Sequence, residues 1–502
     1  MKQAQQIDWR QLAEELTVSG APFIAGKPQD CPDAPQRSTT FPADGSEGFT
    51  FTDSDASTVD TAVAAARQAW DDGWRDMGPG ERKSRLLALA DAILTNGQRL
   101  TLCDSLDMGK PVTPGSGEAF PAAGFIRYYA ESIDKVYAGN MPRTGPGAME
   151  LQVWQPRGVV GAITPWNFPL INACLKLGPA LAAGNTVVIK PSELSPRSTL
   201  LLAQLASEAG IPAGVINVIP GGGATGDALA RHPGVDMLTF TGSTATGKLV
   251  LQGIGGSTIK PVLLECGGKS PEIVFEDAAS LGLEGIANTV VRGAMFNQGQ
   301  VCVTRSLLLV QLSVYQEMLK AITAVAKNIQ PGDPMEGSTM FGPLASARQL
   351  EVVEGYIASG IDDGATLLLD GRKPQGFEQG CYVGPTIFAD VPLNARIAKE
   401  EIFGPVLCVM PFADEEEALA LANNNDYGLA ATIWTKDIVR ANRMASKVQA
   451  GKVRVVASLA QVEGAGFSHS AEPCGQSGYG VEGGPNGLRS YMRQQSIEFN
   501  MG

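Results

Sequence analysis

One thiol and one carboxylate stand in surroundings that suit chemistry. Cys302 closes the uncharged run Phe296-Asn297-Gln298-Gly299-Gln300-Val301-Cys302, with Gly299 three residues before the sulfur. A thiol on such a run can gather backbone N–H groups and amide side chains around whatever is bonded to it. Covalent catalysis requires that arrangement, a nucleophile with donors aimed at the oxyanion that forms on attack. The same residues also suit a buried structural cysteine, the commoner fate of an isolated thiol. Glu265 lies beside two glycines in Leu264-Glu265-Cys266-Gly267-Gly268-Lys269-Ser270-Pro271. It suits a general base in a tight loop near the thiol, and equally an exposed turn acid.

Two further stretches suit a nucleotide. The apolar run Thr186-Val187-Val188-Ile189 ends in Lys190-Pro191-Ser192-Glu193. A ligand crevice is expected at the carboxyl end of a parallel strand, where Lys190 and Glu193 are placed to hydrogen-bond a ribose. A glutamate there repels a 2′-phosphate, which favours NAD over NADP. The alternative is a surface turn with two solvated charges. The stretch Phe240-Thr241-Gly242-Ser243-Thr244-Ala245-Thr246-Gly247 reads as a strand-to-helix turn whose N–H groups can hold a pyrophosphate. Its glycines are not those of G-x-G-x-x-G, and it also reads as an ordinary Ser/Thr-capped helix.

The elements that must position these residues follow from periodicity. Helical spacing marks 57–70, 80–96 and 98–107; a Gly/Pro-rich link over 109–123 then leads to a helix over 125–136 and a strand over 151–156. An alternating series follows: strand 159–163, helix 173–183, strand 186–189, helix 198–209, strand 215–219, helix 225–231, strand 237–240. That rhythm predicts a parallel, doubly wound α/β sheet. A second series has strand 271–275, helix 283–295 leading into the Cys302 run, strand 306–310, helices 315–328 and 346–359, strands 366–369 and 405–412, and helix 414–422. The first fifty residues read as irregular, apart from a short strand at Phe23-Ile24-Ala25.

Composition sets outer bounds. A length of 502 residues exceeds one ordinary core and suggests roughly three units. A net charge of −13 repels polyanions, which argues against nucleic acid as a partner. Eight scattered cysteines without a C-x-x-C pair, and only two histidines, leave no metal-ligand set. Residues 1–10 are polar and lack the apolar core of a signal peptide, so a cytoplasm with reduced thiols is expected. The uncharged run 158–175 is broken by Pro165, Asn167 and Pro169, as a buried strand and loop would be and a membrane span would not.

Taken together, the motifs resemble the aldehyde dehydrogenase superfamily from about residue 57 to 491. The resemblance rests on Thr164-Pro165-Trp166-Asn167-Phe168-Pro169, Lys176-Leu177-Gly178-Pro179-Ala180-Leu181, Lys190-Pro191-Ser192-Glu193, Phe240-Thr241-Gly242-Ser243, Glu265-Cys266-Gly267-Gly268-Lys269 and Asn297-Gln298-Gly299-Gln300-Val301-Cys302. Glu400-Glu401-Ile402-Phe403-Gly404-Pro405-Val406 and Asn424-Asn425-Asp426-Tyr427-Gly428-Leu429 extend it. It implies that Cys302 is the nucleophile, that Asn167 and the Cys302 N–H form the oxyanion hole, and that Glu265 activates water on the thioester. Lys176 and Glu482 resemble a proton relay behind that base. Glu401 resembles the nicotinamide-ribose contact, with Phe403 packed near the ring. Lys190 and Glu193 resemble the adenosine-ribose contacts, and Ser243 with Gly242 the pyrophosphate contact. Thr164, Pro165, Trp166, Ser192, Gly223 and Phe240 complete the implied cofactor site.

The implied fold is a Rossmann-type cofactor domain (1–130 and 151–262), an α/β catalytic domain (263–482) and a small β extension for oligomerisation (131–150 and 483–502). The implied reaction oxidises a small-molecule aldehyde to its acid with NAD, in a homodimer or homotetramer. The chain departs from the family pattern in three places: Thr304-Arg305 follow Cys302, Cys266 replaces a leucine, and the 451–475 region diverges. Arg454 in that region is a candidate for binding a substrate carboxylate. Two other readings compete, an acylating enzyme using coenzyme A and a non-catalytic structural relative. Glu265 argues against the first, and the intact set of Cys302, Glu265, Asn167 and Lys190 against the second. A cysteine hydrolase would need a histidine partner, but His232 sits in a His-Pro turn and His469 in the divergent region.

Overall fold

The computed structural model describes residues 7–140, 148–460 and 466–500. Parts of the expected extension (141–147 and 501–502) and of the divergent region (461–465), and most of the polar N-terminal stretch (1–6), lie outside the described residues. Two large sheets organise the chain. The first has eight strands, and its five central ones are mutually parallel, in the order Ile216–Val218, Thr186–Lys190, Val159–Ile163, Met237–Thr241, Val262–Glu265. By position in the chain this order is third, second, first, fourth, fifth, so strand order reverses between Val159–Ile163 and Met237–Thr241. A crevice opens at such a reversal, outside the carboxyl ends of the strands.

These strands are largely apolar and buried because both faces are covered. Val160 and Ala162 pack on one face with Leu177 and Leu201, while Val159 and Ile163 pack on the other with Val59, Leu229 and Val250. The second sheet has seven strands, with Leu307–Gln311 beside Pro271–Val274 and Val406–Phe412, and Lys452–Val456 at one edge. Ile273 and Leu309 face Val353 and Ile357; Val274 and Leu308 face Ile286, Val290 and Ile322. A third, antiparallel sheet joins Met492–Asn500, Ala148–Pro156 and Gly139–Asn140.

Three regions differ from the periodicity reading. The first fifty residues hold a helix, Trp9–Glu15, and a hairpin, Gln36–Thr40 with Glu47–Thr52. The helix is fixed by tertiary contact, since Trp9 is buried among Leu102, Val112 and Met335. The first hairpin strand, Gln36–Thr40, gives no apolar alternation to read, and on the second only Phe49 and Phe51 alternate. The helix expected from 173 starts at Pro169, because proline at a first helical position surrenders no hydrogen bond. The helix expected from 125 starts at Ala119, inside the presumed Gly/Pro-rich link, with Pro121 in its first turn.

Candidate active site

Functional side chains converge on the crevice because they follow the strands that open it. Asn167 comes four residues after Val159–Ile163, Lys190 ends Thr186–Lys190, Ser243 follows Met237–Thr241, and Glu265 ends Val262–Glu265. The crevice holds a cavity of about 410 Å³. Its walls include Cys302, Asn167 and every residue expected at the cofactor: Thr164, Pro165, Trp166, Lys190, Ser192, Glu193, Gly223, Phe240, Gly242, Ser243, Glu401 and Phe403.

Helix Leu283–Met295 delivers the chain to the nucleophile run, which then turns sharply through three left-handed residues: Asn297 (φ 48°), Gln298 (φ 56°) and Gly299 (φ 70°). Such backbone is rare outside glycine and persists only when its surroundings hold it. Gln300 supplies much of that hold. Its carbonyl accepts from Asn167 Nδ2 (2.8 Å) and Asn297 Nδ2 (3.3 Å), and its side-chain Oε1 accepts from the Ala345 N–H (2.9 Å). Gly299 meets backbone directly, since a Cβ there would lie 2.1 Å from the Gly404 carbonyl oxygen. The nucleophile run and the Glu401–Phe403 loop are thereby packed main chain to main chain.

Cys302 is half-buried, and its thiol is pushed up to about 12 by burial and by the charges of Glu265 and Glu401. The N–H groups of Val303 and of Cys302 itself point at the sulfur and work in the other direction. The Cys302 N–H makes no backbone hydrogen bond among the described residues. Asn167 spends one amide proton on Gln300 and keeps a second. A resting thiol, rather than a thiolate, therefore faces two donors able to hold an oxyanion.

Burial and the charge of Glu482 push the Glu265 carboxyl well above its ordinary range, with Lys176 acting in the opposite direction. Lys176, fully buried in helix Pro169–Ala182, donates to Glu482 (2.8 Å) and to Thr239 Oγ1 (2.9 Å). Glu265 thus sits beside an ion pair that tunes it. Cys266 turns the other way, packing with Phe240, Val250 and Leu264 as a small hydrophobe, though it also forms part of the cavity wall.

At the far side of the Cys302 run, Glu401 accepts the Gly268 N–H (3.2 Å) and is pushed up to about 7, mainly by burial. Gly267 makes this approach possible: a Cβ there would stand 2.1 Å from Glu401 Oε2. Phe403 is also left-handed (φ 55°), and its ring meets Trp166 edge-on at 5.2 Å. Gln349 donates to the Phe403 carbonyl at 2.9 Å and lines the cavity.

A dinucleotide fits these walls. Ser243 caps helix Thr244–Gly255, so the free N–H groups of that first turn face the crevice. The hydroxyls of Thr164 and Thr241 are buried without a hydrogen-bond partner among the described residues, which a polar ligand would supply. Lys190, almost fully buried, reaches Glu193 at 3.3 Å.

Sequence reasoning missed several residues here. Gln300, Gln349 and Thr239 are ordinary residues by type, and only the fold gives them roles. Arg37, in the stretch read as irregular, and Asp53, just beyond it, are tied to the Gly222 loop. Arg454 does not line the Cys302 cavity. It is exposed on edge strand Lys452–Val456, opposite Thr432, and its charge acts on the buried Glu272. Arg305 also pairs with Glu272 (3.3 Å), which in turn accepts from Trp434 Nε1 (2.8 Å).

The aldehyde dehydrogenase family profile matches residues 32–497. Among characterised proteins, the NADP/NAD-dependent aldehyde dehydrogenase PuuC of Escherichia coli K12 is 43% identical over 450 residues, 89% of this chain and 90% of that protein. The crystal structure of the aldehyde dehydrogenase KauB from Pseudomonas aeruginosa superposes with a TM-score of 0.94 at 40% identity, covering 98% of this chain and 99% of that one. The indole-3-acetaldehyde dehydrogenase AldA of P. syringae, solved in complex with NAD+ and IAA, gives the same TM-score, identity and coverage.

Proposed function

The chain belongs to the aldehyde dehydrogenase family, and from that premise we propose that it oxidises an aldehyde to the free carboxylic acid with NAD, through an acyl group carried on Cys302. Bound along the crevice by Lys190, Glu193, Ser243, Glu401 and Phe403, NAD supplies the acceptor for the hydrogen lost by the substrate.

The residues divide the remaining work. The Cys302 thiol gives up its proton to solvent water and its sulfur bonds to the aldehyde carbon. Asn167 Nδ2 and the Cys302 N–H hold the negative charge that appears on the substrate oxygen, a contribution of about 3–4 kcal/mol for one such donor. Oxidation leaves the acyl group on the sulfur as a thioester. Glu265 then takes a proton from the water that attacks it, and the acid leaves as the thiol is restored. A carboxyl with a raised pKa suits this work, because a base is most effective when its pKa lies near the working pH. Lys176 and Glu482 receive and return that proton behind Glu265.

The observation that carries this reading is the convergence of Cys302, Asn167 and the cofactor walls on one cavity, with Glu265 at the strand end beside it. Mixing the protein with NAD and a panel of aldehydes tests it. NADH and free acid should form without coenzyme A, and C302A should form neither. A requirement for coenzyme A would replace water by thiolysis.

None of the described helices is long and apolar enough to cross a membrane. With eight free cysteines, this supports a protein working in the reducing cytoplasm. The three-stranded sheet that ends in Met492–Asn500 stands apart from both large sheets. We assign it and the flanking segments to assembly of a homodimer or homotetramer, which mass measurement in solution distinguishes. The division into 1–130 with 151–262 and 263–482 is supported by the two large sheets, although the strand Gly478–Tyr479 from the second range joins the first sheet.

A further inference from the structure

This inference rests on the reading of the cavity as a dinucleotide site. Where strand Thr186–Lys190 ends, a cation stands that this reading leaves unused. Arg37, on the hairpin strand Gln36–Thr40, directs Nε and Nη2 at Asp53 Oδ2, at 3.2 and 2.6 Å. Asp53 Oδ1 accepts the Gly222 N–H at 2.9 Å, so the pair is tied to the loop that opens helix Gly223–Arg231. A Cβ on Gly222 would lie 3.1 Å from Arg37 Nη2. The next residue, Gly223, shares the cavity wall with Lys190 and Glu193.

Electrostatics join these residues into one group. The hydrogen bond to Asp53 raises the Arg37 pKa, and the charges of Asp53 and Glu193 add to it. Burial lowers the Lys190 pKa; Glu193 and Asp53 oppose the shift and Arg37 reinforces it. Arg37 and Asp53, tied to the Gly222 loop, therefore lie within electrostatic reach of Lys190 and Glu193 on the cavity wall. Their holds differ. Glu193 is 40% exposed and its contact with Lys190 is a long 3.3 Å, so it can turn to solvent. Arg37 is fixed on one edge by Asp53, while its Nη1 makes no hydrogen bond among the described residues and the side chain is 45% exposed.

We propose that Arg37 is a specificity-determining residue that receives the 2′-phosphate of NADP, so that the site accepts NADP as well as NAD despite Glu193. A guanidinium presents paired N–H donors matched to phosphate oxygens, and it keeps its charge at every working pH. With NAD, Glu193 stays inward and accepts from the ribose hydroxyls. With NADP, Glu193 swings out, and Arg37 with Lys190 faces the phosphate.

Calorimetric titration of the full chain with NAD+ and with NADP+ tests this without reference to turnover. The wild type should bind NADP+ within about tenfold of NAD+, and R37A should weaken NADP+ roughly tenfold or more while leaving NAD+ within about twofold. R37Q still reaches Asp53 but carries no charge, and it should show the same split, which separates lost charge from a disturbed Gly222 loop. Added salt should weaken NADP+ more than NAD+ in the wild type, and this difference should shrink in R37Q, where Lys190 alone faces the phosphate. Wild-type binding of NADP+ more than about a hundredfold weaker than NAD+ would overturn the proposal. So would equal weakening of both dinucleotides by R37A and R37Q. A wild type that binds neither overturns the dinucleotide reading as well.

Discussion

Replacing Asn167 by Ala separates catalysis from architecture, because the proposed mechanism gives the side chain one task in each. Its Nδ2 donates to the Gln300 carbonyl at 2.8 Å, and that carbonyl also receives Asn297 Nδ2 at 3.3 Å. Removing Asn167 therefore leaves the acceptor satisfied and costs about 1 kcal/mol of stability, the net worth of one hydrogen bond. In the proposed mechanism the second amide proton holds the substrate oxygen, where a lost donor costs about 3–4 kcal/mol of the barrier. The N167A variant should melt within a few degrees of the wild type and turn over roughly 100- to 1000-fold more slowly. KM should change little, since the donor acts on charge that appears only during reaction. Paired thermal melts and steady-state kinetics on a well-used aldehyde read both quantities. A turnover loss below about fivefold with the fold intact would refute the oxyanion assignment. A collapse of the melt would show instead that Asn167 holds the nucleophile run in place.

Two other perturbations follow from the same geometry. E482Q keeps an acceptor for Lys176 but removes the charge that helps raise the Glu265 pKa, so Glu265 loses its proton at lower pH. The rising limb of kcat against pH should move to lower pH; an unmoved limb, or one moved upward, would remove Glu482 from control of Glu265. G299A places a Cβ against the Gly404 carbonyl at a left-handed φ of 70°. It should cost roughly 3 kcal/mol or more in denaturant unfolding and depress turnover by more than its stability loss explains, because the nucleophile run and the Glu401 loop must move apart.

The legible parts of the fold were those in which local pattern and tertiary role agree. Strands such as Val159–Ile163 and Thr186–Lys190 read as unbroken apolar runs because helices cover both faces. Helix Leu283–Met295 was legible to the residue, since one face packs and the other is solvated. Bare chemistry left Cys302 and Glu265 ambiguous; ordered motifs along the chain gave them expected roles, and the cavity gathers the expected cofactor residues. What stayed hidden depends on contacts distant in sequence. Trp9 finds its pocket near Leu102 and Met335, and Asp53 reaches Gly222 across 169 positions. Arg454 misled for a related reason: a charged residue in a divergent region attracts attention, but edge-strand register puts it opposite Thr432 and near Glu272.

The central claim is that water enters only through Glu265, after the acyl group has reached Cys302. Rapid mixing of E265Q with NAD and aldehyde, followed by mass measurement of the intact chain, tests it most directly. The account predicts a burst of NADH approaching one equivalent per chain, very slow turnover thereafter, and a mass increase equal to the acyl group that disappears in E265Q/C302A. Steady turnover near the wild-type rate, or a burst with no acyl group on the protein, would contradict it.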